Sequence, residues 1–265
     1  MPAIYAHNKF GKKVITELSP VLQDLIHDYP DSFRIGLQGP DTLFFYHPYY
    51  MNRINQTGVK IHKEDAYPFF NDALSLINAN GLDSASHAYL LGFICHFALD
   101  RACHPYVNAS MKSTKCGHLE IEGDFDHYLL QLDGKKPHLY RMHKLVPTNF
   151  TTAMSLAPFY PTVPVVKIHT AMRHMKLVKR LFVAPGKIKR TIIDLLMKLS
   201  LHYKFFKGHM LFPEKNEKCR HCSEKLYEMF LSTVSEATHL IEEFETALIR
   251  NTSLPDEFHG NFNGN

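Results

Sequence analysis

The segment Ser84–His104 constrains the fold most strongly, because the longest apolar helical pattern in the chain carries His96, Asp100 and His104 at four-residue steps. Ala88-Tyr89-Leu90-Leu91-Gly92-Phe93-Ile94-Cys95 runs directly into His96. A helix of this composition is expected at the centre of the core, capped by Asp83 or Ser84 and closed before Pro105. Ionisable groups in such surroundings require partners or a metal ion. Each four-residue step advances about 6 Å along a helix and rotates about 40° around it, so the three side chains share one face. The outer histidines are then about 12 Å apart along the axis, too far to share one ion. Two cations solve this spacing, His96 serving one and His104 the other, with Asp100 able to bind or bridge between them.

His118 and Glu122 are again four residues apart, a spacing that forms a two-point metal clamp on one helical face. A single pair of this kind is usually a surface pair or a capped core histidine. The two constellations together, one of them in an apolar helix, favour metal. Glu120 and Asp124 point elsewhere by the same periodicity and are expected to be solvated or to support ligands. Asp41, displayed on the turn Gly39-Pro40-Asp41, and His62, at the start of a helix predicted over His62–Asn80 with Gly81 as C-cap, could complete the shell. His7 adds one more imidazole. Seven or eight nitrogen and oxygen donors suit two or three ions.

The remaining periodicity is helical too. Helices are predicted over Asn8–Leu18, Pro20–Asp28 and Gly117–Leu132, and within Pro161–Val183, Lys187–Phe206 and Asn216–Arg250. Strand alternation is nearly absent, so the fold class is all-α. The 265 residues fit a single compact multi-helix domain: a metal-site half over 1–135, further helices over 136–250 and a polar, flexible tail over 251–265. An apolar share of 45% with 21% charged residues excludes global disorder. No apolar run is long enough to span a bilayer.

Five cysteines, two of them within the apolar helix, do not form a secreted disulfide framework. The N-terminal run lacks a secretory signal pattern, which points to a cytoplasmic protein or a mature form whose signal has been removed. Cys219 and Cys222 form a lone CxxC, read as reduced surface thiols or a labile disulfide. A formal charge of +4 gives no ground for a stable nucleic-acid complex. Between Lys176 and Lys207, nine basic residues face one acid, Asp194, among aliphatic side chains. Either a helix pair touching an anionic membrane or ordinary helices with a solvated basic face fits that pattern.

Gly39-Pro40-Asp41, His62, His96-x3-Asp100-x3-His104-Pro105-Tyr106 and His118-x3-Glu122 resemble, in that order, the zinc-dependent phospholipase C family, whose relatives include zinc-dependent single-strand nucleases. The resemblance spans roughly residues 7 to 126. It implies Zn²⁺, two or three ions: the first held by Asp41, His62, His96 and Asp100, the second by His104, His118 and Glu122, the third by His7 with Asp100 bridging. It also implies phosphodiester hydrolysis of a phosphate ester, a phospholipid above all, with Asp41 as ligand and base. Secreted members complete the third site with an N-terminal tryptophan, and this chain has none. Removal of Met1 would put the amine of Pro2 five residues before His7 in its place. A nuclease or nucleotidase, and a metal-stabilised helical protein that binds without turnover, are the competing functions. Phe44, Phe45, Tyr46, Tyr49 and Tyr50 either line a substrate pocket or pack in the core.

Overall fold

The computed structural model describes residues 4–80, 84–199 and 203–265, and among them the chain is helical with no strand. Three helices open it: α1 (Ile4–Glu17), α2 (Pro20–Asp28) and α3 (Pro30–Gly36). A 3₁₀ segment, Gly39–Phe45, leads to α4 (Arg53–Lys63) and α5 (Tyr67–Asn80), then α6 (Ser84–Thr114) and α7 (His118–Leu132). Beyond these come α8 (Phe150–Leu156), α9 (Val165–Leu181), α10 (Lys187–Leu199), α11 (Tyr203–Lys207) and α12 (Arg220–Arg250). The all-α architecture expected from the periodicity is the one observed. The cap positions Gly81 and Asp83, the amine of Pro2, and His202 lie outside the described residues.

α6 occupies the centre, with α3 packed along one side and α12 along the other. Tyr89, Leu90, Leu91, Phe93, Ile94 and Phe97 are fully buried in it, as expected for a helix that is apolar all round. Rings from other elements close over it: Phe69 stacks on Phe93 at 4.4 Å, and Phe70 and Phe262 meet Phe97 at 5.3 and 5.1 Å. The buried hydroxyl of Tyr89 is satisfied by that of Tyr160 at 2.7 Å.

Several boundaries differ from expectation, each for a tertiary reason. α6 does not stop before Pro105 but continues to Thr114. An interior proline removes one hydrogen bond and costs about 3 kcal/mol; beyond it Val107 and Ser110 are buried, and Gly264 lies close against its ring. His62 ends a helix rather than starting one, in the last turn of α4. α4 was invisible to periodicity because it is polar and contains Gly58. It is nucleated by a capping box in which Asn52 accepts from the Ile54 and Asn55 amides and Asn55 accepts from the Asn52 amide. Among the described residues α1 extends back to Ile4, further than expected, and the Asp126 carboxylate of α7 accepts from the Tyr5 and Ala6 amides at 3.2 and 2.8 Å.

The segment expected as a flexible tail over 251–265 is tucked in, with Leu254, Phe258 and Phe262 buried. Cys219 and Cys222, expected at the surface, are buried and unbridged, and Cys219 Sγ lies 3.1 Å from Cys116 Sγ. No helix among the described residues is long and apolar enough to cross a membrane.

Candidate metal centre

Five elements meet at one place. α6 supplies His96, Asp100 and His104 from a single face. Beside it, the 3₁₀ segment supplies Asp41. Gly39 has φ +50°, and a Cβ there would lie 2.3 Å from His96 Cδ2, so only glycine lets the turn close onto the imidazole. Asn55 fixes this segment to α4 by donating from Nδ2 to the Leu43, Phe44 and Tyr46 carbonyls at 2.9, 3.1 and 3.0 Å. Asp41 Oδ1 is thereby set 3.0 Å from His62 Nε2. α1 brings His7 against His96, ring on ring at 4.5 Å, and α7 brings His118 and Glu122.

The eight residues singled out in the sequence therefore converge, in three groups whose donor atoms lie within 4.8 Å of one another: His7, His96 and Asp100; Asp41, His62 and His96; His104, His118 and Glu122. Asp100 stands between them. Its Oδ1 is 3.1 Å from His7 Nε2, and its Oδ2 is 3.3 Å from His96 Nε2, 3.5 Å from His104 Nε2 and 3.9 Å from His62 Nε2. Glu122 Oε1 is 3.3 Å from His104 Nε2 and 3.0 Å from His118 Nε2. Two donors on one tetrahedral zinc with bonds near 2.0–2.1 Å are about 3.3 Å apart, so most of these separations suit ligands of a common ion.

Proton placement makes the same point chemically. His62, His96 and His104 direct Nδ1 to the carbonyls of Gly58, Leu37 and Phe262 at 2.8, 3.3 and 2.7 Å. A carbonyl only accepts, so Nδ1 carries a proton in each ring and Nε2 is the atom turned inward. The Nε2 atoms of all three, with Asp100 Oδ2, are buried without a hydrogen bond of good geometry. Where Nε2 is unprotonated, its lone pair facing carboxylate oxygens in a buried site is stable only around a cation. Zinc fits this donor set.

Burial by itself would push the carboxyls of Asp41, Asp100 and Glu122 up. Neighbouring imidazoles, His62 for Asp41, His104 and His96 for Asp100, His118 and His104 for Glu122, help reverse this, so all three stay below the usual carboxylate range and anionic. Burial drives His96 down to about 3 despite Asp100, keeping it a neutral donor. At His104, the lowering effect of burial is outweighed by Asp100 and Glu122, and the imidazole is raised.

Glu120 and Asp124 stay outside the cluster: Glu120 accepts from Lys207 and Asn216, Asp124 from the Asn216 amide and Ser223. The aromatic run divides, with Phe45 buried, Phe44 over His62 at 5.3 Å, and Tyr49 and Tyr50 exposed.

Three contributors were not seen in the sequence. Phe262 is fully buried against His62 and His96 and orients His104 through its carbonyl. Asp126 holds the start of the helix that carries His7. Lys179 is 3% exposed, with Nζ 3.5 Å from His209 Nδ1. Burial pushes its ammonium down to about 8, and the charges of Asp126, Asp41 and Glu122 partly restore it. A signal for it existed: Ile168, Ala171, Met172 and Met175 form the buried stripe of α9, and Lys179 continues their spacing.

An all-helical chain built around buried triads of imidazole and carboxylate belongs in the class of metal-dependent, phosphodiesterase-like hydrolases. More specifically, the sequence model of the family Zinc dependent phospholipase C matches residues 6–158, more than half of the chain and all eight converging residues, and the chain belongs to that family. No curated protein and no solved structure matches it.

Proposed function

We propose that this protein is a phospholipase C-type enzyme that hydrolyses phosphodiesters, phospholipids foremost, using two or three zinc ions. Asp41, His62, His96 and Asp100 would hold the first ion, His104, His118 and Glu122 the second, and His7 with Asp100 the third. The observation that carries this reading is the inward set of Nε2 atoms around Asp100, whose two oxygens face different imidazoles. Bound there, zinc supplies Lewis acidity to the phosphoryl oxygens and to the attacking water.

The chain's own groups do the rest. Asp41 is ionised, and its contact with His62 holds Oδ1 at the edge of the cluster, where it takes the proton of the attacking water. The bond from phosphorus to the glycerol oxygen breaks as the water oxygen bonds to phosphorus, and the leaving alkoxide regains a proton as diacylglycerol. Phe44 and Phe262 pack on His62 and limit solvent around it. The carbonyls behind His62, His96 and His104 keep each ring in the tautomer needed for binding.

The test is metal stoichiometry by elemental mass spectrometry on untagged protein, with release of diacylglycerol and a phosphorylated head group from mixed micelles. Two or three zincs per chain with zinc-dependent turnover is the expected result. Zinc without turnover of any phosphodiester would leave a metal-stabilised binding protein instead.

A further inference from the structure

An amphipathic helix on a protein surface hides its aliphatic stripe and shows its charges. α10 buries only Ile193 and Met197. Ile188, Ile192, Leu195 and Leu199, spaced i, i+4, i+7 and i+11 along one line of the helix, are 79%, 54%, 55% and 69% exposed. Leu196 stands beside them at 60%, and α9 adds exposed Leu177 and Leu181 just before the connection. Isolated exposed leucines are ordinary, but a contiguous stripe marks a surface that is covered in use.

The charge around the stripe identifies what covers it. Arg180, Lys187, Lys189 and Lys198 are exposed along its borders. The single acid of α10, Asp194, is engaged by Lys198 at 2.7 Å and by the Tyr203 hydroxyl at 2.8 Å. We infer that this face docks on an anionic lipid bilayer, the aliphatic stripe entering the boundary between head groups and acyl chains while the lysines and Arg180 meet lipid phosphates. A two-fold contact between two copies would set this cationic border against itself, whereas an anionic bilayer complements both the stripe and the border.

α9 joins this surface to the metal centre. Leu177 and Leu181 are exposed, and between them Lys179 is buried. The same helix packs on the Gly39–Phe45 segment that carries Asp41. Docking through α10 therefore brings the wall of the centre close to the lipid. This step extends the phospholipase reading, but the docking surface itself does not depend on turnover.

Co-sedimentation with phosphatidylcholine vesicles, with and without phosphatidylserine, tests the inference. The expected result is binding to the mixed vesicles that weakens as salt rises and falls about tenfold or more in an Ile192→Ser/Leu195→Ser/Leu199→Ser variant. A Lys187→Gln/Lys189→Gln variant should bind mixed vesicles more weakly and lose the preference for them. Zinc content, and the rate on a soluble phosphodiester where there is one, should stay at wild-type values in both, which separates loss of docking from loss of fold. Equal binding by wild type and the serine variant, or no binding by wild type, overturns the inference. So does a wild-type dimer, seen by sedimentation velocity and dissolved by the serine variant, without vesicle binding. Because the readout is binding, the surface can fail while hydrolysis stands, and hydrolysis can fail while the surface stands.

Discussion

In the part of the chain that matches the family, a cluster of ionisable groups is buried around α6. Beyond residue 158, α10 turns aliphatic side chains outward and its charges form their border. The first arrangement costs desolvation that only a cation offsets. The second leaves apolar area wet until something binds. The division is not complete, because the second region sends two groups back into the first: the Lys179 ammonium and the Phe262 carbonyl. The contrast teaches that support for the ligands is divided: the Gly58 and Leu37 carbonyls behind His62 and His96 lie in the matched region, the Phe262 carbonyl behind His104 far beyond it.

The largest effect should come from within the first region. Asp100 touches four imidazoles of the centre, so Asp100→Ala should release at least one zinc and lower phosphodiester turnover by on the order of 10²–10³-fold or more. Elemental analysis and initial rates would show it; full zinc content in the variant would mean that Asp100 is no bridge. Next, deleting residues 261–265 removes the acceptor behind His104. Zinc affinity at the His104, His118 and Glu122 group should fall by about 10–100-fold, the usual cost of a lost orienting partner, with a smaller change at His7 and Asp41. Uniform weakening at all sites in a chelator competition would break the proposed division of labour.

Lys179→Met asks whether the second region reaches the chemistry. Turnover should fall about tenfold, equivalent to about 1.4 kcal/mol of barrier, at unchanged zinc stoichiometry. An unchanged kcat would reduce Lys179 to a structural cation. The smallest effect concerns pH. Burial raises the Asp126 carboxyl to about 7, against the lowering effect of the Ala6 and Tyr5 amides. The folded chain then binds more protons than the unfolded chain between the ordinary carboxylate range and pH 7, so this group's contribution to stability declines as pH rises through that window. Asp126→Asn should flatten the decline by about 1 kcal/mol, measured by urea unfolding of the apo-protein at pH 5 and pH 7.

The legibility of the site follows from chain separation. His96, Asp100 and His104 could be grouped in advance because a single helix sets their geometry, and His118 with Glu122 for the same reason. The all-α class was legible because helical periodicity is local. His62 was placed on the wrong element: α4 has little apolar pattern and exists through the Asn52 and Asn55 hydrogen bonds, which no periodicity registers. The end of α6 was misjudged because the local rule for proline was overridden by packing on one face, where Val107 and Ser110 are buried while Pro105, Asn108 and Ala109 are exposed. Phe262 reads as part of a polar tail until rings far away in sequence are found around it. Lys179 was legible in principle, as the one cation in a buried stripe.

The bond between His104 and the Phe262 carbonyl links residues 158 positions apart. During translation at about 5–20 residues per second, roughly 8–30 s separate the synthesis of the histidine from that of the carbonyl that fixes its ring. Throughout that interval a nascent chain carries Asp41, His62, His96 and Asp100 while His104 still lacks its support. The ring of His104 therefore gains its acceptor only after residue 262 has been made.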